Sequence, residues 1–303
     1  CSLIEKTAHK KHPKGSSISF PTGLTIPQES ETFSMLLLRV HRGFIEGDAI
    51  AVNEHQVAIA GGVALGKDRN NRAKEAFPLV KKGLTGGVRY VALERSKTAR
   101  QCVQTLGRLY SRYGVSYPSG VGVADTKEVW YIEAGGGRQW AALRIPRDKY
   151  MACANGYRIG VLNLRDRKNF LASPGLLKEC KKKGLWNPKK GSFNFAQCFG
   201  GGRRNRYYDS RRVWGTLRLL SPSKKFSPYK YSYPMFLKPD KKITVQDLTK
   251  VLRDRYEGTP FANSFASGKK KIRERPIAVQ QTVHTNVLQL RAWLPPELGA
   301  LMW

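Results

Sequence analysis

The residue best equipped for chemistry is Cys1, where a thiol and a free α-amine share one position. The amine titrates near ~8 and the thiol near ~8.5. One residue can therefore supply a sulfur nucleophile and the base that takes its proton. A chain that starts with cysteine is expected to have lost an initiator methionine or a longer leader. The other four cysteines, Cys102, Cys153, Cys180 and Cys198, lie far apart and form no CxxC pair, which excludes zinc-ribbon and thioredoxin-like chemistry. Two disulfides are permitted by that number and not required. His9 and His12 stand in a basic stretch with no acidic or cysteine neighbour, so a solvated loop is expected there rather than a metal pair.

Other signatures of chemistry are absent. There is no GxGxxG after a strand, no P-loop, no HExxH and no GxSxG elbow. Gly200-Gly201-Gly202-Arg203-Arg204 lacks the Lys-Ser/Thr of a phosphate cradle and reads as a turn. No cofactor and no metal are expected.

The elements that must hold Cys1 in place are legible from residue 49 on. Ala49–Val52, Asn53-Glu54-His55-Gln56 and Val57–Ala60 read as strand, tight turn, strand. Residues 66–87 read as a surface connection with one short helix. Ser96 or Thr98 can cap a helix through about Tyr113, with Ala99, Cys102, Val103, Leu106, Leu109 and Tyr110 at spacings of three and four, and Gly114 stops it. Strands are expected over Val121–Ala124, Glu128–Ala134, Gln139–Ile145 and Tyr150–Ala154, an antiparallel meander with Gly135-Gly136-Gly137 at one hairpin. Ser173-Pro174 should start a second helix that ends at Gly184. Asp209 or Ser210 should cap a third, Thr244 a fourth. Ile277–Val283 and Asn286–Trp293 read as closing strands. Helices grouped between sets of antiparallel strands indicate one layered α+β domain.

Composition adds charge. The 303 residues hold 54 Lys and Arg against 22 Asp and Glu, a formal net charge of +32. Such a surface attracts polyanions and resists self-association, and it says nothing about fold. The basic runs, Lys181-Lys182-Lys183 and Lys269-Lys270-Lys271 among them, are scattered rather than gathered on one helix or arm. That pattern suits a generally basic surface better than a dedicated nucleic-acid module. No apolar run approaches the roughly 18 residues needed to cross a membrane, so no membrane partner is expected, and the compartment stays open.

The ordered motifs resemble a known family. Val52-Asn53-Glu54-His55-Gln56-Val57-Ala58-Ile59 is similar to the hairpin signature of the N-terminal-nucleophile cysteine hydrolases, in particular the dipeptidase family that includes dipeptidase A and the secernins. Glu128–Glu133, Gly136-Gly137, Trp140–Pro146, Asn155-Gly156, Asn169–Pro174, Arg206–Trp214, Tyr256–Pro260 and Arg275-Pro276-Ile277 continue the likeness to about residue 294. The resemblance implies a four-layer αββα sandwich as a single domain over residues 1–303, with Cys1 attacking an amide carbonyl. It implies that Asn155 donates its side-chain amide to the oxyanion, that Val63 contributes a backbone N–H to it, and that Arg212 supports the nucleophile.

The segment 5–48 departs from the family pattern. Lys14-Gly15-Ser16 stands where Asp-Gly-Ser is usual, and residues 18–30 hold neither arginine nor aspartate where an Arg-Asn-x-Asp-like segment is usual. The expected function is a cysteine peptidase that hydrolyses dipeptides or small amides through a thioester. The alternative is a catalytically impaired basic scaffold of the same fold that binds a polyanion such as nucleic acid. The expected partners are a small peptide substrate, further copies of the chain in a homo-oligomer, and polyanions without sequence preference.

Overall fold

The computed structural model of the protein describes residues 2–40, 50–65, 68–201, 206–262, 274–280, 282 and 285–303. The strands are β1 (Ser2–Lys6), β2 (Lys10–Lys11), β3 (Ser17–Ser19), β4 (Thr25–Pro27), β5 (Glu31–Thr32), β6 (Met35–Val40), β7 (Ile50–Asn53), β8 (Ala58–Ala64), β9 (Ser119–Ala124), β10 (Val129–Gly136), β11 (Gln139–Ile145), β12 (Phe170–Ala172), β13 (Leu288–Leu290) and β14 (Ala300–Met302). The helices are α1 (Asn71–Ala76), α2 (Val88–Leu93), α3 (Ala99–Tyr113), α4 (Leu176–Lys182), α5 (Phe195–Phe199), α6 (Arg211–Leu220), α7 (Val245–Arg253) and α8 (Pro296–Gly299).

Eight strands form one sheet in the order β1-β6-β7-β8-β9-β10-β11-β12, antiparallel throughout. Alternation along β10 divides the core between its faces. Trp130, Ile132 and Ala134 join a cluster with Val91 and Leu93 of α2 and Cys102, Val103 and Leu106 of α3. Tyr131 points the other way and packs with Ala141, Leu143, Tyr157, Cys180 of α4 and Phe195 and Phe199 of α5. A third cluster joins Val213, Trp214 and Leu217 of α6 to Ala152, Ala154 and Tyr256.

Local chemistry explains the best-formed parts. Thr98 caps α3 by accepting from the Gln101 amide, and Gly114, at φ 72°, ends it. Asp125 serves two elements at once. Its Oδ1 accepts from the Lys127 and Glu128 amides in the β9–β10 turn, and its Oδ2 accepts from the Ala99 amide at the start of α3. Asn53 uses its whole amide: Nδ2 donates to the Leu93 and Ser96 carbonyls, while Oδ1 accepts from the His55 and Val57 amides. The hairpin motif is thus a clamp that fixes β7 to the end of α2.

Several expectations need correction. His9 is not an unpartnered loop histidine. It bonds Glu54 at 2.7 Å and Glu31 at 3.0 Å, residues 45 and 22 positions away that local sequence could not reveal. Helix α4 begins at Leu176, capped by Gly175 in the left-handed region (φ 71°), rather than at Ser173-Pro174. Within the expected strand Tyr150–Ala154, Tyr150 makes one isolated bridge, to Leu237, and the rest pairs with no strand. Of the closing segments, Leu288–Leu290 forms β13, while residues 277–280 form no strand and Val283 lies outside the described residues. Helices α2 and α5 are too short to announce themselves by periodicity.

The α+β character and the large antiparallel sheet are as expected. Among the described residues the remaining sheets have two strands each. Cys102, Cys153, Cys180 and Cys198 are free thiols. No described helix is long and apolar enough to cross a membrane, and no described group of three His, Cys, Asp or Glu residues is arranged to hold a metal.

Candidate active site

The segment that follows Ala154 owes its shape to carboxylates. Its amides are taken by three acids from distant parts of the chain instead of a neighbouring strand. Asp209 Oδ1 accepts from the Asn155 amide at 2.7 Å, and Asp68 Oδ2 from the Tyr157 amide at 2.9 Å. Glu133 of β10 accepts from the Arg158 amide at 2.7 Å and the Ile159 amide at 3.1 Å. A buried amide must find an acceptor, and side-chain oxygens supply it here. That is the physical reason residues 155–159 hold their shape without pairing to a strand.

Asn155 and Arg212 are brought together. Arg212 Nη2 donates to Asn155 Oδ1 at 2.5 Å and to Asp209 Oδ1 at 3.1 Å, and its Nε donates to the Tyr208 carbonyl at 2.6 Å. The fork of the guanidinium locks the Asn155 carboxamide with its oxygen inward, which leaves Nδ2 as the group able to donate outward. The Tyr208 ring lies under two cations, with Arg212 at 4.9 Å and Arg275 at 4.6 Å from its centroid. Asp209 or Ser210 was expected to cap α6. Ser210 takes the cap position without a side-chain bond to the helix amides, at the end of a π-helical turn over Arg206–Ser210, and the Asp209 carboxylate turns back to Asn155 and Arg212.

Asp209 is the residue that sequence reasoning underrated. Its placement three residues before Arg212 was a visible signal, but an acid before a helix reads first as a cap. One of its oxygens, Oδ2, is buried without a hydrogen-bond partner. Burial pushes the carboxyl up to about 6, with Asp68 adding to the rise and Arg212 and the Asn155 amide opposing it. Burial likewise lowers Arg212 from its ordinary value, against the pull of Asp209. Deeper in the fold, burial raises the fully enclosed Glu133 to about 7 despite its two amide donors.

Of these groups, Asp68 and Asp209 border a cleft of about 750 Å³, lined also by Gly156, Arg158, Tyr231 and Tyr233 among others. Arg158 is pinned there through the Ala152, Tyr233 and Pro234 carbonyls at 3.1, 3.2 and 2.8 Å. Val63 lies in β8 opposite Gly120, just past a register shift. Five residues further on, Asp68 reaches the cleft. Cys1 lies outside the described residues. The strand that follows it, β1, runs along β6 at the far edge of the sheet from β12.

Comparison with known proteins places this geometry in context. The chain is 36% identical over 236 residues to a probable dipeptidase of Salmonella dublin, a match covering 76% of this chain and 54% of the relative. It is 28% identical over 308 residues to a probable dipeptidase of Latilactobacillus sakei, covering 99% of this chain and 63% of the relative. Against a probable dipeptidase A of Streptococcus pyogenes serotype M3 it is 28% identical over 307 residues, covering 99% of this chain and 65% of the relative. The chain thus spans between about half and two thirds of the length of these curated relatives. The model of peptidase family C69 matches residues 3–303. On that whole-length match, the chain belongs to peptidase family C69.

Proposed function

We propose that the protein is a cysteine peptidase of the dipeptidase type, with Cys1 as nucleophile and Asn155 as a donor to the oxyanion. The observation that carries this reading is the locked carboxamide of Asn155. Its oxygen is held by Arg212 and its backbone by Asp209, so its carboxamide is fixed between Ala154 and Gly156, two residues that line the cleft. Preorganised donors at the developing oxyanion are the largest single contribution to acyl-transfer catalysis. Membership of a peptidase family and relatives named as probable dipeptidases support the same chemistry.

In this mechanism the Cys1 thiol gives its proton to the α-amine as sulfur attacks the carbonyl carbon. The carbonyl electrons move to oxygen, where Asn155 Nδ2, with the Val63 N–H as second donor, receives the negative charge. Collapse breaks the C–N bond, the α-ammonium protonates the departing amine, and a thioester remains. Water then adds to the thioester, the C–S bond breaks, and the carboxylic acid leaves as the thiol is restored. Arg212 acts through Asn155 as a positioning residue. The reading carries with it the αββα sandwich, supported by the antiparallel eight-stranded sheet under α2 and α3. The test is intact-mass analysis after treatment with a thiol-reactive dipeptide electrophile, together with dipeptide turnover by the Cys1→Ala variant. Label confined to Cys1 and loss of turnover are expected; unchanged turnover in Cys1→Ala would end the reading.

A further inference from the structure

Two thiols meet between α4 and α5, and the reaction proposed above uses neither. Cys180 lies on the apolar face of α4, one turn after Leu176. Cys198 lies in α5 between Phe195 and Phe199, and all five side chains belong to one buried cluster. Backbone bonds bring the thiols together. The Leu185 amide donates to the Cys180 carbonyl at 2.9 Å, which turns the chain back over the end of α4. The Leu185 carbonyl then accepts from Cys198 Sγ at 3.5 Å. The Cys180 thiol completes the relay by hydrogen-bonding to Cys198. That bond pushes Cys180 above its ordinary value, with burial adding to the rise, and lowers Cys198. A structural cysteine needs only apolar neighbours, whereas each of these sulfurs has the other within hydrogen-bond reach.

We propose that Cys180 and Cys198 are a modification site: a thiol pair that a hydroperoxide closes into a disulfide, tying α4 to α5. Cys198 is the attacking sulfur, because the Cys180 S–H stabilises its thiolate. It attacks one peroxide oxygen, the O–O bond breaks, water departs, and a sulfenic acid remains on Cys198. The Cys180 sulfur then attacks Cys198, the S–O bond breaks, the S–S bond forms, and the second oxygen leaves as water. The two thiol hydrogens join those of the peroxide in two waters, and the two electrons lost by sulfur are gained by oxygen. Leu185, which contacts both cysteines, also lines a surface pocket of about 540 Å³ with Arg72, Lys181 and Lys190, which places the pair beside an opening distinct from the cleft. The cross-link acts on the cleft wall. Ala196 and Gln197 of α5 line the cleft, as do Gly200 and Gly201 after it. The Cys198 and Gly200 carbonyls accept from Asn70 Nδ2 at 2.9 and 3.1 Å, and Asn70 caps α1. A bond from α4 to α5 therefore braces the wall that α5 and α1 share, and it closes a loop of roughly 18 residues in the unfolded chain.

The test treats the full chain with hydrogen peroxide or with dithiothreitol, blocks the remaining thiols with iodoacetamide and digests with trypsin. The expected product after peroxide is the peptide Glu179–Lys181 joined to Gly191–Arg203, two hydrogens lighter than the separate peptides together and absent after dithiothreitol. The oxidised protein should melt about 5 °C above the reduced one. That rise should vanish in Cys180→Ala and in Cys198→Ala, and the wild-type peptide map stays decisive should either variant fail to fold. Peroxide-treated protein in which Cys180 and Cys198 are still alkylated, or carry sulfonic acid in place of the link, would overturn the thiol pair. A link that leaves Tm unchanged would overturn the brace between α4 and α5. Neither readout uses turnover, so the assignment of Cys1 as nucleophile stands or falls separately.

Discussion

Replacing Arg212 with leucine isolates the contact on which the site depends. The guanidinium makes three bonds, to the Tyr208 carbonyl, Asn155 Oδ1 and Asp209 Oδ1. Both members of its ion pair are largely enclosed, with side chains 16% and 9% exposed. Removing one partner of a buried pair strands the other, which typically costs about 3–5 kcal/mol. For 303 residues, with an unfolding entropy of about 2.1 cal/mol/K per residue, that corresponds to a Tm drop of about 5–8 °C. Asp209 should also titrate above its present value of about 6, because Arg212 is the main influence holding it down. In a double-mutant cycle with Asp209→Asn, followed by urea unfolding, the two changes should couple by roughly 0.5–3 kcal/mol. Dipeptide turnover should fall even at low temperature, where the variant is still folded, since Asn155 is then free to rotate. A Tm within about 1 °C of wild type, together with unchanged turnover, would refute the idea that Arg212 holds this site together.

Two pH experiments follow from other groups. Glu133 is raised by burial from 4.5 to about 7, so the folded state binds its proton more tightly than the unfolded one. Its contribution favours folding at low pH and is lost as pH rises between those two values. Glu133→Gln should therefore flatten the stability profile over that window by about 3 kcal/mol, measured as urea unfolding at pH 5 and pH 8; parallel profiles would contradict the assignment. Hydrogen bonds to Glu31 and Glu54 raise His9 above 6.5, whereas burial lowers His55 below it. Histidine NMR should find His9 titrating at higher pH than His55, and the reverse order would count against the His9 contacts.

What was legible in the sequence was whatever local pattern decides. Helix α3 announced itself through Thr98, its three-four spacing of apolar residues and Gly114. The β9–β11 meander did so through its turns. Asn155 and Arg212 were legible through family motifs, and they meet in the structure 57 residues apart in sequence. The role of Asp209 was not legible, because a capping reading and a long-range reading use the same residue type at the same place. The shape of residues 155–159 was hidden for a related reason. Apolar residues before it suggested a strand, but the acceptors that satisfy its amides lie in β10, next to α1 and next to α6.

Those acceptors also set an order of assembly. Neighbouring strands of the meander close short loops, whereas the amides of Asn155 and Tyr157 wait for partners 54 and 89 residues away. Contacts that close long loops cost more entropy and form later. The β9–β11 meander should therefore stand before the cleft exists, so that a refolding chain passes through a compact, inactive stage. Pulse-labelled hydrogen exchange would register that delay as protection of Trp130 and Ile132 preceding that of Asn155 and Tyr157. Competence for chemistry is then the last property this fold acquires and, by the same logic of distant partners, the first it surrenders.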